Sequence, residues 1–218
     1  MRNAALAMAA ALALAGSLVL AATPPRAGPD QAGDFDYYVL ALSWSPNWCA
    51  LEGAARGAEQ CDENFGWVVH GLWPQYEDGW PSYCPTGARA PSRALTGAQA
   101  DLFGAGGAAW YQWKKHGVCS GLSAEDYYRL AREAWGRVQR PAVLRKLDRA
   151  VKLPASVIED AFLAENPGWT RDTVTITCRD GHIQEARICL TRDLEPRDCG
   201  ADVVRDCTLQ DALFEPVR

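Results

Sequence analysis

Of the three histidines in this chain, two stand where acid–base chemistry is plausible from residue type and spacing. His70 lies in Gly66-Trp67-Val68-Val69-His70-Gly71-Leu72-Trp73-Pro74, and His116 in Trp110-Tyr111-Gln112-Trp113-Lys114-Lys115-His116-Gly117-Val118-Cys119. Each is followed by glycine and has tryptophan nearby, and Lys115 adjoins the second. Histidine is the side chain that is readily either charged or neutral near neutral pH. Two of them with a lysine read as an acid–base pair for an anionic substrate. The bland alternative is two core histidines in aromatic surroundings; it suits either one alone but not the pair with Lys115. His182 sits at a turn and reads as exposed.

These residues need elements to position them. The apolar, β-branched run Trp67 to Val69 predicts a buried strand delivering His70 to its end, with Gly71 allowing close approach to the ring and Trp73 as a flat apolar wall. Phe35 to Pro46 predicts a central strand stopped by Pro46. Cys49 to Cys61 encloses a Gly/Ala loop. Pro74 to Pro91 is a loop whose Trp80 and Tyr83 are either stacking surfaces for a base or covers for the core.

Thr96-Gly97-Ala98-Gln99 has capping-box form and predicts a short helix through Phe103. Ala108 to His116 predicts a second helix, ended by Gly117 at the C′ position. On it Gln112 and His116 share one face, and Tyr111 and Lys115 another. The helix dipole at its last turn would favour the His116 imidazolium. Ser123 caps a further helix whose Tyr127, Leu130, Ala131, Ala134, Trp135 and Val138 follow helical periodicity. Pro141 begins a short helix and Ser156 to Glu165 forms another. Thr173 to Cys178 and Ile183 to Leu190 predict a hairpin turning at Asp180-Gly181. Strands, then helices, then strands read as α+β.

At 218 residues the chain is long enough for one domain with a substantial core, and no linker divides it. Its start has signal-peptide form: a short positive beginning, an apolar run from Ala4 to Leu20, then Ala21 and Ala22. Residues 1–22 are read as the signal peptide, 23–33 as a disordered segment and 34–218 as the folded domain. An uncleaved anchor is the other reading of the apolar run; nothing else is of spanning length. Export makes the eight cysteines, Cys49, Cys61, Cys84, Cys119, Cys178, Cys189, Cys199 and Cys207, a disulfide set. Zinc is the rival, but there is no Cys-x-x-Cys pair. A net charge of −5 excludes a protein that holds nucleic acid by broad phosphate neutralisation, though not one that binds a polyanion in a local pocket.

The segments Val69 to Pro74 and Trp113 to Cys119 resemble the two active-site segments of the ribonuclease T2 family, the exported acid endoribonucleases. Tyr37 to Cys49 and Cys119 to Ser123 resemble its bacterial members, and the similarity runs from about Asp34 to Leu209. What the resemblance implies is a mainly antiparallel sheet backed by helices, and cleavage of RNA without metal or cofactor. One histidine takes the ribose 2′-hydroxyl proton and the other protonates the leaving 5′-oxygen, giving a 2′,3′-cyclic phosphate and then a 3′-phosphate. Carried over by position, His70, His116, Lys115 and Gln112 are the catalytic set, and Trp73, Tyr111 and Gln75 bind substrate. The sequence leaves open which histidine is base and which acid. The implied disulfides are Cys49–Cys61, Cys84–Cys119, Cys178–Cys207 and Cys189–Cys199; spacing alone does not choose them.

Departures from the pattern have consequences. The family's second segment usually begins His-Glu-Trp, where this chain has Tyr111-Gln112-Trp113. Gln112 keeps hydrogen-bonding capacity but no charge, so a lower His116 pKa is expected than in a Glu-containing relative. Gln75 stands where many relatives carry an acid, which puts base preference in question. The expected protein is a periplasmic or secreted monomer acting on RNA and not DNA, free of the membrane after signal cleavage. The alternative is a weakened or silent relative that binds RNA, nucleotide or a protein.

Overall fold

The structure, a computed structural model, describes residues 30–218. The signal peptide and most of the segment read as disordered lie outside the described residues. The remainder of that segment belongs to the fold: Asp30 accepts hydrogen bonds from the Tyr76 hydroxyl (3.2 Å) and the Ser82 amide (3.0 Å), and the Gly33 amide donates to the Cys119 carbonyl (2.9 Å).

Strand β1 (Tyr37–Trp44) is the central strand expected from its aromatic and β-branched content, and it gives way at Pro46 to a helical turn, α1 (Ser45–Trp48). The span from Cys49 to Cys61 is a chain of tight helical turns and not a Gly/Ala loop. Strand β2 (Trp67–Gln75) continues five residues past His70, so the histidine lies within the strand and not at its end.

The short helices α2 (Arg93–Gly97) and α3 (Ala100–Phe103) replace the single one expected. Thr96 is no cap: Ser92 caps α2 by accepting from the Leu95 amide, while the Thr96 hydroxyl donates back to the Arg93 carbonyl. Helix α4 (Gly106–Lys115) is followed directly by a tight turn, Gly117–Ser120. Gly117 is therefore not a left-handed cap, and the left-handed glycine comes later, at Gly121 (φ 76°). What Gly117 supplies is room, because a Cβ there would lie 2.6 Å from the Trp113 side chain.

Helix α5 (Ala124–Arg137) starts where Ser123 caps it, and its buried Tyr127 donates from its hydroxyl to the Leu72 carbonyl, tying helix to strand (3.1 Å). The Pro141 turn spans Ala142–Lys146. Strand β3 (Val151–Leu153), α6 (Ala155–Glu165), β4 (Val174–Arg179), β5 (His182–Leu190) and β6 (Ala212–Phe214) complete the domain. Asp180 and Gly181 turn the β4–β5 hairpin with φ of 48° and 76°, as their types require.

The fold is α+β. The sheet runs β2-β1-β5-β6-β3 with β4 on β5, antiparallel throughout except for β5 against β6. One face of β1, carrying Tyr38, Leu40, Leu42 and Trp44, packs into the helices as the main core. The other face, carrying Tyr37, Val39 and Ala41, packs in a small cluster with Cys189, Val203 and Trp73. The four disulfides are the implied ones: Cys49–Cys61, Cys84–Cys119, Cys178–Cys207 and Cys189–Cys199. Cys84–Cys119 ties the loop after β2 to the turn after α4, and so joins the surroundings of the two histidines.

Candidate active site

His70 is placed by a β-bulge. In the β1–β2 register Leu42 faces Val69 and Ala41 faces Gly71, so His70 has no partner opposite it. Strict alternation would point it with Leu72 into the core. The extra residue gives that core place to Val69 and frees the imidazole. Its Nδ1 pairs with Glu185 Oε1, from a carboxylate that is 1% exposed on β5. Burial alone would raise the Glu185 pKa, but His70 and Arg187 together overcome it and hold the carboxyl below its ordinary value. Arg187, two residues along the same strand face, donates from Nε to Glu185 Oε2 (2.9 Å), and its Nη2 lies 2.8 Å from that oxygen.

His116 closes α4 and is buried, with its Nδ1 lacking any hydrogen-bond partner among the described residues. Desolvation, then the neighbouring Lys115 and His70 charges, push its pKa down to about 3. The dipole argument predicted the opposite, a favoured imidazolium; burial and two cationic neighbours outweigh half a charge at a helix end.

Trp73 links the histidines. Its indole stacks on His116 (centroids 5.1 Å apart, planes at 29°) and meets His70 edge-on at 5.2 Å. Trp73 Nε1 donates to Gln112 Oε1 at 2.8 Å. The space kept open by Gly71 is filled by this bond and not by a ligand: a Cβ there would fall 2.0 Å from Trp73 Nε1 and 2.6 Å from Gln112 Oε1.

All seven non-cysteine residues singled out in the sequence, His70, His116, Lys115, Gln112, Trp73, Tyr111 and Gln75, line one cavity of about 240 Å³. A largely apolar cleft that brings together two unlike histidines, a lysine, an arginine and stacking surfaces is equipped to hold an anion and move protons at it. Residues 35–199 match the profile of the Ribonuclease T2 family. The chain belongs to the ribonuclease T2 family.

Within that family, a ribonuclease of Aeromonas hydrophila is 42% identical over 120 residues, which make up 55% of this chain and 54% of that protein. A probable ribonuclease of Haemophilus influenzae is 33% identical over 135 residues, 52% of this chain and 47% of that one. The chain thus spans about half the length of these curated relatives. Among solved structures, the RNase-related protein from Calystegia sepium shares the fold with a TM-score of 0.64 at 20% identity, covering 83% of this chain and 96% of that one.

The three positions that depart from the family pattern all have defined partners in the fold. Gln112 is buried and holds Trp73. Tyr111 is exposed, its hydroxyl 3.3 Å from that of Tyr83, whose amide donates to the Lys115 carbonyl. Gln75 is buried at the cavity wall and donates to the Pro74 carbonyl. Trp80 also lines the cavity and Tyr83 stands at its rim beside Tyr111; both are exposed, which favours the stacking reading over the covering one. His182 donates from Nδ1 to the Asp180 carbonyl of its own turn (2.8 Å) and does not line the cavity.

Glu185 and Arg187 were not legible as site residues. The only signal was a Glu-x-Arg pair on one face of an apolar strand, a pattern that ordinarily marks the solvated face of a sheet.

Proposed function

We propose that this protein is an endoribonuclease that cleaves RNA by 2′-hydroxyl transesterification to a 2′,3′-cyclic phosphate and then to a 3′-phosphate. The observation that carries this reading is the electrostatic difference between two histidines sharing one cavity. His116, neutral through burial, suits the base that takes the 2′-hydroxyl proton. His70 suits the acid that protonates the leaving 5′-oxygen: its Nδ1 is held by Glu185, which supplies a counter-charge for the imidazolium and leaves Nε2 for substrate. Lys115 stabilises charge on the phosphoryl oxygens. Trp73, Tyr111 and Gln75 contact the nucleotide. Side chains fill each role, so the chemistry calls for neither metal nor cofactor, and DNA, lacking the 2′-hydroxyl, is no substrate.

The protein is read as exported to the periplasm or secreted, and as a monomer. Four disulfides and the signal-like start support export. No helix of the described residues is long and apolar enough to cross a membrane. A second reading, a silent relative that binds RNA, nucleotide or a protein, draws on Gln112, whose oxygen is spent on Trp73 and which brings no charge to His116.

The deciding experiment is RNA cleavage by the oxidised protein in EDTA from pH 4 to 8, beside His116→Ala. Cyclic-phosphate products that vanish in the variant support the enzyme. A folded, disulfide-bonded protein that leaves RNA intact at every pH, yet binds it, leaves the silent relative standing.

A further inference from the structure

We propose that Glu185 and Arg187 are working parts of this site: Arg187 is a second cation that meets the phosphate opposite Lys115, and Glu185 is the positioning carboxylate that aims both Arg187 and His70. The proposal rests on the ribonuclease reading and extends it to a strand that carries neither of the family's active-site segments.

The geometry is that of a clamp. Glu185 divides its oxygens, Oε1 to His70 Nδ1 and Oε2 to the Arg187 guanidinium. That contact engages two of the five guanidinium N–H donors. No other described hydrogen bond uses the rest. Arg187 lines the cavity with both histidines and Lys115, its side chain one-third exposed, and its guanidinium lies 5.5 Å from the Trp73 ring. In the sheet register Arg187 stands beside Ala41, which faces Gly71 on the far side. On this side neither residue has a side chain beyond Cβ; on the other side Arg187 pairs with the buried Thr175 of β4.

A purely structural ion pair is the competing account. A carboxylate buried at 1% exposure in mid-strand is a poor stabilising device, because neutral residues of similar size fold as well or better. Its placement makes sense if two mobile groups must be held. Fixing Nδ1 selects the tautomer and points Nε2 at the cleft, while the second oxygen keeps the arginine from collapsing onto the histidine. The carboxylate absent at Gln112, beside His116, is thus matched by one beside His70.

Three readouts test this: steady-state cleavage of an RNA oligonucleotide, calorimetric titration with uridine 3′-monophosphate, and the downfield Nδ1 proton resonance of a histidine–carboxylate pair, assigned by its loss in His70→Ala. Arg187→Gln is expected to raise KM and weaken nucleotide binding about tenfold or more, the effect of one charge-assisted contact, with part of the affinity restored in Arg187→Lys. Glu185→Gln is expected to lower kcat about 100-fold with KM changed far less, and to abolish the downfield resonance.

The double variant Glu185→Gln/Arg187→Met removes the cation that Glu185→Gln leaves unpaired, and so covers the case in which the single variant misfolds. It should remain slow and lack the resonance. Nucleotide affinity unchanged in Arg187→Gln overturns the phosphate role. A double variant with wild-type kcat, or a wild-type protein without the resonance, overturns the positioning role. Titration and resonance are read equally well in a protein that cleaves no RNA, so failure of the ribonuclease reading is distinguishable from failure of this one.

Discussion

The Trp73 indole lies against the His116 imidazole, centroids 5.1 Å apart, and this stack sets the inner wall of the cleft. The indole is held from its other edge by Gln112, and only a residue without Cβ at position 71 leaves room for that bond. Histidine, tryptophan, glutamine and glycine therefore act as one unit, and disturbing any member displaces the others.

Gly71→Ala puts a methyl group where Trp73 Nε1 and Gln112 Oε1 now meet, so the indole must swing off His116. Cleavage should drop at least about tenfold and stability by about 1–3 kcal/mol, the range for overpacking. Trp73→Phe keeps a smaller ring against His116 but loses the N–H bond and part of the indole's packing area, so it should lose about 1–3 kcal/mol yet retain more activity than Gly71→Ala. Urea unfolding with kcat/KM measured on both variants checks the contrast; equal activity in the two would contradict it.

Gln112→Glu keeps an acceptor for Trp73 Nε1 and brings a negative charge to the helix face shared with His116. That charge opposes the desolvation and the Lys115 and His70 charges that hold the His116 pKa near about 3. The His116 pKa should rise, and the acid limb of kcat/KM should move to higher pH. The pH–rate profile, with an NMR titration of His116, measures this, and a limb that stays in place would show that His116 does not control it.

Acid should unfold the protein progressively, and the sign follows from two groups. His116 has a folded pKa of about 3, below its ordinary 6.5, so the unfolded chain takes up a proton that the folded one refuses. Its contribution is full above pH 6.5 and is lost as pH falls toward 3. Glu185, also lowered in the fold from 4.5, contributes above that value and less below it. Unfolding free energy from urea curves between pH 7.5 and 4 should therefore decline with acidity. His116→Ala, whatever its starting stability, should show a shallower decline above pH 4.5; an identical slope would mean that His116 takes up its proton in the folded state.

What was legible in the sequence is what short-range chemistry encodes. A β-branched aromatic run makes β1, Ser123 caps α5, Asp180-Gly181 turns a hairpin, and each of these depends on residues a few positions apart. Where two local solutions compete, the reading slipped. Thr96 has the sequence form of a cap, but Ser92, four residues earlier, accepts from the Leu95 amide and starts α2, while Thr96 turns back to the Arg93 carbonyl. Three-residue strands such as β3 and β6 carry too few residues to show a period, and exist because each pairs with a distant strand.

The site divides along the same line. His70, His116 and Lys115 could be singled out because the proposed reaction calls for those side-chain types, and the segments that resemble the family's carry them in characteristic surroundings. Tertiary structure alone decided that His70 is released by a bulge, that Glu185 and Arg187 join it from β5, and that His116 is neutral. Bulges come from strand register, partners from strand order, and pKa from burial among groups distant in the chain. By itself the sequence determined which groups can exchange protons; the fold decided which of them are charged, and where they point.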